Sequence, residues 1–382
     1  MRHLNEEKLN TLLKSRLDEN IEKKFVSGAQ LAVLQDGKLL CKISAGRQRP
    51  EESTPIYEDA MYRMASMTKP VTAVAALIAE DLGYFDIEDL VSDYLPQFAD
   101  MNIAKLEDGK VAIDRKNTVP LRIRHMLTHT SGMVAETKIG FLQNKEVPLE
   151  AYESQKTLVD YCSRLPLAFE PESYTAYSSR SAFDTVARII EIKSGMAYKD
   201  FLKKYVFEPL EMKDTTFTPD KSQWARVTAL TAKNDGGEFY SVDIGEHFFK
   251  NIPLSYTGAG SCLASTLEDY LKFAWLLQSG GELSGVRIFE EKRIHEMRLA
   301  RVPHTTPGRD PISSWGLGVR VVDREGVLPV GSFGWSGAYG THFWVDPENK
   351  ITALYLRNSC FDAGGCGQIG REFEKDVMSC LE

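Results

Sequence analysis

Residues 62–77 read YRMASMTKPVTAVAAL. The Ala- and Leu-rich half, continued as IAEDL, has a helical pattern from about Met67 to Leu82. Pro70 has no N–H and is best tolerated near a helix start, so the helix begins around Ser66. Ser66 and Lys69 are then i and i+3 on one helix face, within reach of each other. The positive end of the helix dipole favours a serine becoming an alkoxide. A lysine buried among apolar residues loses proton affinity and can act in base catalysis. No other serine in the chain has a lysine three residues later. The competing reading is a capping serine beside a surface lysine, and SMTK alone leaves the two about even.

Outward from this stretch, the chain reads as strands at both ends and helices between. Residues 4–25 form an amphipathic helix with Leu9, Leu13, Leu17 and Ile21 on one face. Ala29 to Leu34 and Leu39 to Ser44 flank Asp36-Gly37, a hairpin signal. Helical segments follow at Leu121 to Leu127, Ser181 to Lys193 and Thr266 to Leu277. Strands return at Gly316 to Val322 and Val327 to Val330, and at Thr341 to Val345 and Ile351 to Arg357, each pair around a polar turn. A helix at about Arg371 to Leu381 closes the chain. The fold class expected is α/β (α+β): one antiparallel sheet built from both chain ends and flanked by helices, with a large, mostly helical unit inserted. A single domain over 1–382 is expected, its α/β part near 1–65 and 290–382 and its helical part near 66–289.

Composition narrows the function. The 382 residues are 43% hydrophobic and 26% charged, which supports a large core. The net charge of −8 disfavours a nucleic-acid partner. The charged N-terminus lacks the apolar run of a signal peptide, and no stretch is long enough to span a membrane. Cys41, Cys162, Cys262, Cys360, Cys366 and Cys380 are scattered and form no CxxC pair. Free thiols in a reducing cytoplasm are the simple expectation. No metal and no cofactor is expected, since HExxH and ligand-spaced clusters are absent.

Two other motifs compete for attention. Gly365-Cys366-Gly367-Gln368-Ile369-Gly370 matches GxGxxG, but twelve residues remain after it, too few for the second strand and acidic residue of a dinucleotide site. A glycine-rich entry into the last helix explains it better. His125, His129 and Ser131 in RHMLTHTSG suggest a Ser/His pair, yet no GxSxG elbow supports one. A helix end and a tight turn account for them.

Tyr177-Ser178-Ser179 precedes the helical SAFDTVARIIEIKSG, and Trp335-Ser336-Gly337-Ala338 precedes the strand THFWVDP. With SMTK, these motifs stand in an order that resembles the serine β-lactamase and penicillin-binding-protein superfamily, most closely class C β-lactamase-like proteins and family VIII carboxylesterases. RHMLTHTSGM and GAGSCLASTLEDYLKFAWLLQSGGELSG are also similar to that family, and the resemblance runs from about Gly28 to Ile369. It implies Ser66 as nucleophile, Lys69 as the group that helps remove its proton, and Tyr177 as partner base. It implies the backbone N–H groups of Ser66 and Ala338 as oxyanion hole, and Ser179, Trp335, Ser336 and Gly337 as substrate contacts. Two departures stand out. Ser179 replaces the asparagine of Tyr-x-Asn. Trp335 replaces the lysine that helps hold a β-lactam carboxylate, and tryptophan at that place points to the esterase branch. The function expected is hydrolysis of small carboxylic esters through an acyl-enzyme, with a small-molecule ester or amide as partner. Acyl transfer, β-lactamase and D-amino-acid peptidase activity are the alternatives within the fold, and a non-catalytic sensor or scaffold is the alternative of another class.

Overall fold

The computed structural model describes residues 1–249, 251–361 and 367–382. Helix α1 (Glu6–Glu22) starts at Asn5, whose side chain accepts the Lys8 N–H. Its buried face carries Leu9, Leu13 and Leu17. Strands β1 (Gly28–Gln35) and β2 (Lys38–Gly46) turn on Asp36 and Gly37, both at positive φ (50° and 77°), which suits a two-residue hairpin. Strand β3 (Met61–Arg63) leads through a 3-10 turn (Ala65–Met67) into α2 (Thr68–Asp81). The middle of the chain holds a hairpin of β4 (Asn102–Glu107) and β5 (Lys110–Lys116), α3 (Ser181–Ser194), β6 (Ala264–Thr266) and α4 (Leu267–Gln278). The C-terminal part supplies β7 (Ser313–Trp315), β8 (Arg320–Val322), β9 (Phe333–Ser336), β10 (His342–Asp346), β11 (Ile351–Leu356) and α5 (Gln368–Met378).

Among the described residues the main sheet has seven strands in the order β7-β8-β9-β10-β11-β1-β2, every neighbour antiparallel. Strand β1 lies inside it and is buried along its whole length. Alternation sorts its side chains: Ala29, Leu31 and Val33 join the cluster with α1 and α5, while Ala32 joins the larger core on the other face. Helix α4 covers that second face against β10 and β11. Both chain ends build the sheet, α1 and α5 pack on it, and the mostly helical part lies between those ends in sequence, as expected.

Three details differ. Expected strand 316–322 begins with a turn at Gly316–Gly318, so only Arg320–Val322 is extended, and it pairs with Ser313–Trp315. Residues 327–330 form no strand. Val327 and Val330 are half exposed, and Pro329 can give no N–H to a ladder. The partner of β8 is β9 instead. The β4–β5 hairpin turns on Asp108-Gly109 and was not anticipated, because its mostly exposed residues carry little apolar alternation. The glycine-rich motif at 365–370 lies partly outside the described residues, and Gly367 caps α5.

Candidate active site

Ser66 occupies the 3-10 turn between β3 and α2, at the end of a buried segment. The preceding Ala65 has φ +47°, a left-handed conformation that costs an alanine on the order of 1 kcal/mol. Its surroundings hold it there. Thr68 Oγ1 donates to Ala65 O (2.7 Å) and accepts from Leu263 N (3.1 Å). Met64 N donates to Leu263 O (2.8 Å), and Tyr270 Oη donates to Met67 O (2.8 Å). The β3–β6 pairing fixes the approach to the turn.

Lys69 opens α2 and is fully buried. Its Nζ donates to Ser179 O (2.7 Å) and Gly260 O (2.8 Å). It sits 4.7 Å from the Tyr177 ring centroid and 5.2 Å from that of Phe183. Burial pushes its pKa from 10.5 down to about 7, although the charges of Asp184 and Glu136 pull it up. Near neutrality, then, Lys69 exists in both protonation states, the condition for moving a proton. At the position where Tyr-x-Asn would place an asparagine, Ser179 holds this lysine through its backbone carbonyl. Gly260 has to be glycine, since a Cβ there would lie 2.8 Å from Ser179 O and 3.2 Å from Lys69 Nζ. The loop carrying Gly260 is tied to α3 by buried Asp184, which accepts from Tyr256 Oη (2.7 Å) and Ala259 N (2.9 Å). Burial raises Asp184 to about 6 in spite of those donors and Lys69.

Tyr177 is clamped by its neighbours. Its carbonyl accepts from Glu136 N (2.7 Å), and Ser178 N donates to His129 Nδ1 (3.0 Å). Its ring lies 4.6 Å from that of His129, 5.5 Å from Trp335 and 6.0 Å from Trp315. Trp315 and Trp335 meet edge to face at 4.7 Å, so an aromatic wall backs the phenol. His129 is buried, and burial, aided by the nearby lysine charge, pushes its pKa well below 6.5. It therefore acts as a neutral acceptor that positions the Tyr177 segment.

The end of β9 meets the Ser66 turn. A Cβ on Gly337 would lie 2.4 Å from Met64 O and 3.4 Å from Ala65 Cβ, so glycine permits the approach. Gly337 N donates to Thr341 O (2.7 Å), and Thr341 Oγ1 donates to Met64 O (3.0 Å). The Ala338 N–H follows Gly337 at this meeting point and has no backbone acceptor among the described residues. Trp335 faces the Tyr177 side. Ser336 faces the opposite layer: its hydroxyl lies 2.8 Å from His342 Nδ1, and His342 Nε2 lies 3.2 Å from Glu374 of α5. Arg320 holds that carboxylate from a second side (2.7 Å).

The structure thus brings Ser66, Lys69, Tyr177, Ser179, Trp335, Gly337 and Ala338 to one place and engages the Ser336 hydroxyl elsewhere. His125 lies outside this cluster. Its Nδ1 accepts from Arg122 N (3.1 Å), and Ser131 Oγ accepts from Met133 N (3.2 Å), both turn-forming contacts. Sequence reasoning gave no role in the site to Trp315, Asp184, Gly260 or His129, although the last three stand in the quoted stretches SAFDTVAR, GAGSCLAS and RHMLTHTSG.

A protein-family model described as Beta-lactamase matches residues 13–364. Protein Rv1367c of Mycobacterium tuberculosis is 28% identical over 374 residues, covering 88% of this chain and 87% of that one. Esterase EstB of Burkholderia gladioli is 24% identical over 375 residues, covering 90% and 89%. Among solved structures, EstCE1, a hydrolase with promiscuous acyltransferase activity, superposes with a TM-score of 0.78 at 20% identity and covers 98% of each chain. Matched over nearly all of its length and carrying this serine, lysine and tyrosine in one cleft, the chain belongs to the Beta-lactamase family.

Proposed function

We propose that the protein is a carboxylesterase-like serine hydrolase that cleaves small acyl esters through a Ser66 acyl-enzyme. The observation that carries this reading is Lys69: fully buried, held by two carbonyls, and brought to about 7. In its neutral form, with Tyr177, it takes the Ser66 proton as Oγ attacks the ester carbonyl. The N–H groups of Ser66 and Ala338 receive the developing oxyanion. The proton passes to the leaving alcohol, and water then attacks the acyl-enzyme by the same route reversed. Trp335 supports esters over β-lactams, because an indole offers one N–H and an apolar face where a lysine would pair with a carboxylate. Transfer of the acyl group to an acceptor other than water is the second reading, favoured by the apolar wall of Trp315 and Trp335 beside Tyr177.

The test is a fluorophosphonate probe followed by intact and peptide mass measurement. One adduct on the Ser66 peptide is expected, together with p-nitrophenyl ester turnover that disappears in Ser66→Ala. An adduct on Ser131 or another serine would overturn the assignment.

A further inference from the structure

Arg180 follows Ser179, whose carbonyl holds the Lys69 ammonium. Its Cα and Lys69 Nζ both lie within 3.3 Å of the point a Gly260 Cβ would occupy, so it is rooted in the wall of the site. Its guanidinium sits between two rings, 5.5 Å from the Tyr152 centroid and 5.1 Å from that of Phe249. Phe249 in turn packs on Tyr339 at 5.6 Å, the residue after Ala338. The cation therefore lies between the helical wall and the strand end that flank Ser66.

Its hydrogen bonding is sparse. Nη1 donates to Tyr152 Oη (2.9 Å), one of five possible donor bonds. Among the described residues its charge is met by Tyr152, Tyr256 and Cys262 and by no carboxylate partner, and both oxygens of nearby Asp184 are engaged by Tyr256 and Ala259. The other arginines set among carboxylates here, such as Arg293 with Glu80, Asp81 and Glu296, show what a purely structural guanidinium finds. A half-buried guanidinium stacked on rings with its edge uncommitted is arranged for a planar anion.

The direction follows from the proton path. The leaving alcohol collects its proton from Tyr177, whose ring is backed by Trp315 and Trp335, so it departs toward that wall. Arg180 packs instead with Tyr152 and Phe249, away from those two indoles, which leaves it to the acyl portion of the ester. We infer that Arg180 forms an anion-binding subsite for the acyl group, and that the preferred substrates are monoesters of short dicarboxylic acids. This rests on the esterase reading and specifies its substrate class. The cation that the family position on β9 lacks is thus supplied across the cleft, to the acyl side and not to the leaving-group side.

Monoethyl glutarate and ethyl valerate match in chain length and differ in the terminal carboxylate. Their kcat/KM values are measured on wild type, Arg180→Gln and Arg180→Lys, with fluorophosphonate labelling of Ser66 as the check on each variant's fold and nucleophile. The wild type is expected to favour the anionic ester. In Arg180→Gln the anionic-to-neutral ratio is expected to fall about 10- to 100-fold, the range for a lost charged hydrogen bond. Most of the fall should appear in KM, and Arg180→Lys should restore part of it. A wild type that favours ethyl valerate, or a ratio that is the same in a labelled Arg180→Gln protein, overturns the subsite. Absence of both labelling and ester cleavage in the wild type overturns the esterase reading itself, so the two failures are distinct.

Discussion

On the proposed mechanism, Lys69 sets the pH dependence of ester cleavage. Its Nζ has no solvent, and the fall from 10.5 to about 7 corresponds to a cost of about 5 kcal/mol for the charged form. The active species has neutral Lys69, so kcat/KM should follow the deprotonated fraction: about 1% of the plateau at pH 5, about 10% at pH 6, half near pH 7 and about 90% at pH 8. A lysine at 10.5 would be well under 1% deprotonated at pH 8, and its rate would still climb tenfold per pH unit through pH 9. The assay is kcat/KM for p-nitrophenyl butyrate from pH 5 to 9.5, corrected for spontaneous hydrolysis. Asp184→Asn provides the internal control. Removing that carboxylate takes away the largest influence that raises the lysine, so the midpoint should move to lower pH. A profile with unit slope through pH 9, or a midpoint in Asp184→Asn shifted upward, would refute the reasoning that burial tunes Lys69 as the base.

Lys69→Ala and Tyr177→Phe should each lower turnover by several orders of magnitude, and the double variant by little more, because groups that act as a unit are not additive; single-turnover acylation rates check this. Short p-nitrophenyl esters should be turned over well above nitrocefin, and Trp335→Lys should narrow the gap, read as the ratio of specificity constants. His125 is buried and accepts from Arg122 N, and burial, with Arg124 nearby, lowers it from 6.5 to about 4. A depressed histidine contributes stability that is present above 6.5 and lost as pH falls to about 4, here about 3 kcal/mol. Urea unfolding at pH 7 and pH 4 should therefore show a smaller acid loss in His125→Gln than in wild type, and equal losses would count against a neutral buried His125.

The elements were legible where one face is apolar and a local signal marks the end. Asp36-Gly37 fixed the first hairpin, and Thr266 and Gly195 bound α4 and α3 at a cap and a left-handed residue. The β8–β9 connection was misread because Val327 and Val330 look like strand residues but are exposed at a turn. Within the site, Ser66, Lys69 and Tyr177 stand in motifs whose order carries the resemblance. Asp184 and Gly260 act on Lys69 from 115 and 191 positions away in the chain. No periodicity links them to it, since only the packing of α3 against α2 brings them together. Arg180 was passed over for a different reason: adjacent to a motif, it has no place in the family pattern.

The Ser336–His342–Glu374 contact bears on hydrogens as well as positions. With a Glu374 oxygen 3.2 Å from His342 Nε2, the tautomer that turns an N–H toward the carboxylate leaves Nδ1 with a lone pair. The Ser336 hydroxyl at 2.8 Å must then point its hydrogen inward, at the imidazole. What remains on that oxygen is electron density alone. In that tautomer the Ser336 hydrogen is spent beneath the sheet, so an anion arriving at the cleft face of this strand end meets the Trp335 indole and finds no hydroxyl to donate to it.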